Sequence, residues 1–393
     1  MITIFIIGGA SLFSEFNHMT KSIMVVYETK LPKNPTIENK LKTLFSAFES
    51  EFSNVIFKKE LFVEGYGLIQ KNIGKLVVND IDPLKTVYLD NNGFLQWVYP
   101  KINTSPYIKK VVKFNKMLKV KKIPMLFVLA PFKNIKGYTK LPISIRDYSN
   151  ENSDEFIAGL QSNGVSWLDL RAKLEKDHLN KAELFYKTDH HWKSKTGFWA
   201  YQTTLPYINK VLGRKTISMN VDINNFKVQE LPQSYSGSQG TRVGKLYGGV
   251  DDFELMTPSF KTDYEAKYYL SSNKIVYKKG SFEDALIQKK YLDPLASVYT
   301  NRYSSYLGGL YPQIDITNKI GKGSLLIIQD SFGNGVYSPF LSLNFHKTTI
   351  VDLRLFNNKP LSKLIDNQHY DMVIILYNPS CFTVNATKKF NLR

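Results

Sequence analysis

The stretch Lys187–Trp192, KTDHHW, sets an acid beside two of only six histidines in the chain. A carboxylate in reach of an imidazole holds its tautomer and steadies the imidazolium formed when the ring takes a proton, which is the acid–base half of acyl transfer. In an extended segment residues i and i+2 share a side while i+1 points away. Asp189 is therefore expected to pair with His191, and His190 to face elsewhere. Two other readings of the stretch stand beside this one: a polar turn before a helix, and a metal site, since His and Asp are common ligands. The other histidines, His18, His178, His346 and His369, show no ligand spacing, and Cys381 is the one cysteine. No metal and no cofactor is expected.

The hydroxyl for such a pair lies far downstream. LLIIQ from Leu325 to Gln329 reads as a short buried strand, DSFGNG follows, and a helix is expected up to about Leu343. Ser331 thus sits just past the carboxyl end of a strand and at a helix start, where open α/β sheets place ligand-binding groups. There its own N–H and the helix N-terminus can face a developing oxyanion. Gly333 and Gly335 permit a tight turn. A serine before a helix also makes a plain N-cap without any chemistry. Taken with Asp189 and His191, the leading reading is a Ser-His-Asp acyl-transfer site.

The elements that must position these groups alternate. Residues 34–72 read as helices with Leu41, Leu44, Phe45, Phe48 and Phe52 on one face, and VYLDNNGFLQWVY from Val87 to Tyr99 as a hairpin turning at Asn91, Asn92 and Gly93. Ile108–Val120 is an amphipathic basic helix. Met125–Ala130 is an apolar run stopped by Pro131, as a buried parallel strand would be. A helix over Ser153–Gln161, the strand VSWLDL from Val165 to Leu170, and a helix from Lys193 to Leu212 follow. The alternation breaks between Gly213 and Lys322, a Tyr-, Ser-, Gly- and Lys-rich portion expected to be an irregular or β insertion lying over one end of the sheet. It resumes with Leu325–Gln329, Thr348–Leu353, a helix over Leu361–Asn367, and Met372–Tyr377. The expected fold class is α/β: a parallel sheet with helices on both faces and a middle insertion at about 213–322. Phe127, Ile327, Val351 and Ile374 should then share one sheet.

At 393 residues and 43% hydrophobic content the chain can bury a full core, which excludes wholesale disorder. Its net charge of +18 is mostly lysine, densest from Lys109 to Lys122. This suggests an anionic neighbourhood such as nucleic acid, acidic lipid or a charged cell-wall polymer; a solvated basic helix face explains the patch equally well. A nucleic-acid binder needs a concentrated groove with aromatic platforms or a known module, and the sequence has neither, so no nucleic-acid partner is expected. A single cysteine excludes an intramolecular disulfide. Ile2–Phe13 is apolar apart from Thr3 and Ser11 yet shorter than the ~20 residues of a spanning helix. Residues 1–20 are read as a truncated signal anchor ahead of an α/β domain over 21–393, with a buried N-terminal strand as the alternative.

TDHHW before a helix, then LLIIQDSFGNGVYSPFL, IVDLR and VIILYNP, resemble the DHHW family, which is similar to the SGNH-type acetyltransferases that modify alginate. VYLDNNGFL and LGGLYP extend the resemblance over about Glu49–Asn378. It implies an SGNH-hydrolase-like sheet in which Asp189 and His191 are acid and base, Ser331 is the nucleophile, and Arg354 of VDLR lies near the site. Asn334 and Asn378 are candidate second oxyanion donors. Gln329 departs from the glycine that many SGNH members place before Asp-Ser. The implied function is an O-acetyltransferase or acetylesterase acting on a cell-surface polysaccharide outside the membrane. A membrane-bound O-acyltransferase would supply acetyl groups, and the N-terminal segment would tether the chain. The alternative is a non-catalytic polysaccharide-binding or export-scaffold protein of the same fold, with the three side chains out of hydrogen-bond reach.

Overall fold

Runs of β-branched and aliphatic residues with no polar interruption build the centre of the molecule, because a strand covered on both faces must be apolar on both. A computed structural model gives the fold and describes residues 23–24, 27–28, 31, 36–55, 59–80, 82–213, 221–271, 274–356, 360–383 and 387–392. The apolar segment Ile2–Phe13 lies outside these. Among the described residues no helix is long and apolar enough to cross a membrane.

Residues up to Ile69 and from Gln70 onward cluster as separate units. The first carries the helix Ile37–Val55 and most of the helix Lys59–Asn72. The second opens with a small antiparallel sheet of β1 (Val77–Val78), β2 (Val87–Leu89) and β3 (Leu95–Gln96), which contains the expected hairpin.

The main sheet has eight strands. β4 (Met125–Leu129), β5 (Trp167–Asp169), β11 (Ser324–Gln329), β12 (Lys347–Val351) and β13 (Met372–Tyr377) run parallel in the order β5-β4-β13-β11-β12. Phe127, Ile327, Val351 and Ile374 do share this sheet. Their side chains alternate between two cores: Leu126, Val128, Leu325, Ile327 and Ile374 face one, and Phe127, Leu326, Ile328, Val373 and Ile375 the other. Helices Leu170–Lys176 and Ser194–Leu212 cover the first face, and Ser105–Val120, Ser149–Ser162 and Leu361–Asn367 the second.

The insertion has two parts. Residues 235–241 and 299–310 line the cleft at the carboxyl end of the sheet, and the rest lengthens the sheet: β8 (Tyr264–Ser271), β9 (Lys274–Gly280) and β10 (Gln313–Asn318) add antiparallel beyond β12. The alternating pattern of β10, buried at Ile314 and Ile316 and half-buried between, is that of a strand with one wet face. β6 (Phe226–Tyr235) and β7 (Asp251–Pro258) form a separate ribbon in which Tyr235 pairs with Asp251. That ribbon brings two loops to the TDHHW segment.

Ile327 is fully buried at the middle of β11. Ile327→Ala is expected to cost about 2–5 kcal/mol in a urea melt, while Ile143→Ala, 97% exposed, should stay within about 0.5 kcal/mol of wild type.

Candidate active site

The TDHHW segment is a closed turn, not an extended strand. Phe185 and Trp192 pair as an antiparallel bridge. The Lys193 N–H donates to Leu184 O at 3.0 Å, which makes the residues between bend back. Asp189 Oδ1 accepts the backbone N–H of His191 at 2.9 Å, an Asx turn, and also faces its Nδ1 at 2.5 Å. The Asp189–His191 pairing thus arises from a turn, and the alternation argument that sent His190 elsewhere fails with the strand. The His190 ring lies 3.8 Å from that of His191, centroid to centroid, and lines the same cleft.

Ser331 comes from the other half of the chain. β11 ends at Gln329, Asp330 caps the next turn by accepting the Phe332 N–H, and Ser331 is its first residue, so Asp330 holds the capping role open to Ser331 on sequence. The expected single helix is two short ones, Ser331–Asn334 and Tyr337–Leu341. Ser331 Oγ stands 2.9 Å from His191 Nε2. With Nδ1 facing a carboxylate, that nitrogen carries the ring proton, which leaves Nε2 as acceptor for the Ser331 O–H. At a helix start the Ser331 N–H has no intrahelical acceptor, and it finds no other among the described residues.

Several residues that the motifs do not contain fix this geometry. Asp251 accepts the N–H groups of Lys187 and Thr188, both at 2.8 Å, and the Thr188 hydroxyl at 2.6 Å. The buried Lys133 ammonium donates to Lys187 O, Asp189 O and Gln239 Oε1 at 2.7–2.9 Å. Ser238 donates its N–H to Asp189 Oδ2 at 2.7 Å, and its Oγ is 2.7 Å from His190 Nδ1. A Cβ on Gly237 would lie 2.2 Å from Asp189 Cβ, so only glycine lets the chain pass. Tyr303 stacks on His191 at 3.9 Å and anchors its hydroxyl on Phe332 O. The small-residue run YSGSQG at 235–240 was a visible sign of such close approach. Tyr303 carried no sequence signal.

The other candidates divide. Arg354 lines the cleft, with Nε and Nη2 bound to Asp352 and Nη1 without a partner among the described residues. Asn334 also lines it: its Oδ1 accepts from Gln329 and its Nδ2 donates to Gly309 O at 2.9 Å, leaving one amide hydrogen. Gln329 itself is buried, accepts from Ser338, and fills the space a Cβ at Gly333 would need, so it supports Asn334 from beneath. Asn378 does not reach the cleft. It caps the turn Pro379–Cys381 and donates its amide to Asp330 Oδ2 at 2.7 Å. The cleft measures about 410 Å³.

Asp189, His190 and His191 also present ligand atoms within 4.8 Å of one another, as a metal site would. Both ring nitrogens of His191 are engaged, however, and His190 has only Nε2 left, so the groups are already committed to one another. Burial alone would raise the Asp189 carboxyl; the adjoining imidazoles of His191 and His190 and hydrogen bonds from His191 and Ser238 outweigh it and hold the group well below its usual range. His190 is driven well below its ordinary value by burial and by His191, which keeps it neutral.

A carboxyl depressed in the folded state stabilises it above the ordinary value of ~3.9, and the gain is lost as pH falls through that value toward the folded one. The stability difference between wild type and Asp189→Asn, from urea melts, should therefore shrink by roughly 1 kcal/mol between pH ~5 and ~3. A difference that stays constant over this window contradicts the assignment.

Residues 98–235 match the family model of the SGNH hydrolase-like domain, acetyltransferase AlgX, and residues 170–351 match that of DHHW protein. No curated protein matches the chain. Among solved structures, Bacillus cereus PatB1 is 21% identical with a TM-score of 0.64 over 78% of this chain and 99% of its own. PatB1 with a sulfonyl adduct gives 20% and 0.61 over 78% and 97%. A DHHW family protein from Eubacterium siraeum gives 18% and 0.58 over 80% and 97%. At these identities the structural likeness shows the fold. The chain carries an SGNH-like α/β fold, and by its family models it resembles the DHHW family and the SGNH-type alginate acetyltransferases, as its motifs implied.

Proposed function

We propose that the chain is an O-acetyltransferase or acetylesterase acting on a cell-surface polysaccharide through an acyl-enzyme on Ser331. The observation that carries this is the unbroken chain from Asp189 Oδ1 to His191 Nδ1 at 2.5 Å and from His191 Nε2 to Ser331 Oγ at 2.9 Å, opening on a cleft. The idle-scaffold alternative expects those side chains apart, and both distances count against it.

In the first half-reaction Ser331 Oγ attacks the acyl carbon of an ester donor and His191 Nε2 takes its proton. The bond from acyl carbon to leaving oxygen then breaks, and that oxygen recovers the proton from His191. In the second half a sugar hydroxyl or water gives its proton to His191 and attacks the acyl-enzyme, and Ser331 Oγ leaves with the proton. Asp189 keeps the imidazole oriented and balances its charge. The Ser331 N–H and the free Asn334 amide hydrogen are the donors for the oxyanion, and the open Nη1 of Arg354 is placed for the polar end of a substrate. A membrane-bound O-acyltransferase as acetyl supplier, tethering through the N-terminal segment and a place on the outer face of the cell membrane or in the cell envelope belong to the same proposal.

The test is turnover of a small acetyl ester. Ser331→Ala and His191→Ala should each lose at least about 10³-fold in kcat, with melting unchanged for the serine variant. His190→Ala should fall only partway, because it touches His191 without exchanging a proton with the substrate. Gly237→Ala should also be severely impaired, since its methyl would displace Asp189. Full turnover by Ser331→Ala overturns the covalent mechanism.

A further inference from the structure

The lysine-dense stretch Lys109–Lys122 takes no part in the cleft at Ser331. Lys121 pairs with Asp366 at 2.5 Å. Lys119 and Lys122 instead line a second and larger cavity, of about 790 Å³, which Lys210 on the last turn of the helix Ser194–Leu212 also enters. Its walls are the segment leading into β4, the turn before β5, and the end of that helix. It therefore opens at the amino ends of parallel strands whose carboxyl ends face the Ser331 site. The five residues of β4 alone put roughly 17 Å between the two edges.

Three features of this cavity belong to a binding site. No carboxylate lines it, and its three lysines form no ion pair among the described residues, so the positive charge is uncompensated. Trp167 and Tyr207 contribute half-buried rings to the wall. Asn115 is only 5% exposed, lines the cavity, and its side chain makes no hydrogen bond to any described residue. Lysines near helix ends can be explained by the helix dipole alone; a largely buried amide lining the cavity beneath them cannot. Lys122 moreover holds φ 58, a left-handed conformation that glycine would adopt without strain.

We infer that this cavity binds an anionic saccharide, a sugar chain bearing carboxylate or phosphate groups. The flat faces of Trp167 and Tyr207 suit sugar rings, the Asn115 amide suits a hydroxyl, and the lysines suit the charge. A single-stranded nucleic acid asks for a groove that follows successive phosphates; here the cations converge on one cavity of ordinary small-ligand size. The inference does not depend on chemistry at Ser331.

Calorimetric titration of the full chain with trigalacturonate, with a phosphorylated maltotriose and with neutral maltotriose tests it. At least one acidic probe should bind, more weakly as salt rises, while maltotriose does not saturate. Binding of the first probe alone identifies a sugar carboxylate, and of the second alone a phosphate. Combined Lys119→Ala, Lys122→Ala and Lys210→Ala should weaken binding at least about tenfold, Asn115→Asp should weaken it by adding a like charge, and Ser331→Ala should leave it unchanged. Wild-type affinity in the triple lysine variant, equal binding of maltotriose, tighter binding of a short oligothymidylate, or no binding of either acidic probe overturns the inference.

Discussion

Asp189 is a charged carboxylate left 1% exposed, and removing such an ion from water costs several kcal/mol unless hydrogen bonds replace the lost hydration. The replacement is specific: one oxygen takes the N–H and ring nitrogen of His191, the other the N–H of Ser238. Every neighbour that makes this possible is constrained in turn. Gly237 must lack a side chain, and Asp251 and Lys133 must hold the backbone on either side. Lys133 shows the same tension from the opposite charge, since burial pulls its ammonium down to about 7 against the attraction of Asp251, Asp189 and Asp90. Three acceptors around it favour the charged form.

The site is thus a junction of four chain segments: the end of β4 with Lys133, the bent TDHHW turn, the β6–β7 ribbon with Ser238 and Asp251, and the turn after β11 with Ser331. The parallel sheet fixes the first and last, because both follow the carboxyl ends of strands flanking β13. The ribbon fixes the other two by pairing Tyr235 with Asp251, so that a single strand pair delivers the N–H that binds the acid and the carboxylate that binds its loop. His191 then spans from one pair of segments to the other. Tyr303, stacked on its ring, keeps the imidazole from turning away.

Legibility followed physical range. The parallel strands were readable because burial on both faces leaves a run such as MVIILY with nothing polar in it. The pairing of Asp189 with His191 was readable from spacing, yet the reason was mistaken: an Asx turn and an extended strand both bring i and i+2 together, and only the bridge between Phe185 and Trp192 distinguishes them. His190 was misplaced by the same ambiguity. Asn378 was read as a candidate second oxyanion donor, and its commitment to Asp330 depends on a partner 48 residues away. Lys133, Asp251 and Tyr303 act through tertiary contacts that no local pattern encodes. The insertion was visible as a break in alternation, but its joining of the main sheet rests on long-range register between β10 and β12.

The central claim is that His191 activates Ser331 as a nucleophile. Its most direct measurement is reaction of the full chain with an aryl sulfonyl fluoride, followed by mass mapping of the modified peptide. One adduct per chain is expected, on Ser331, with labelling nearly abolished in His191→Ala and retained in His190→Ala. Labelling of another residue, or undiminished labelling of Ser331 without His191, would contradict the account.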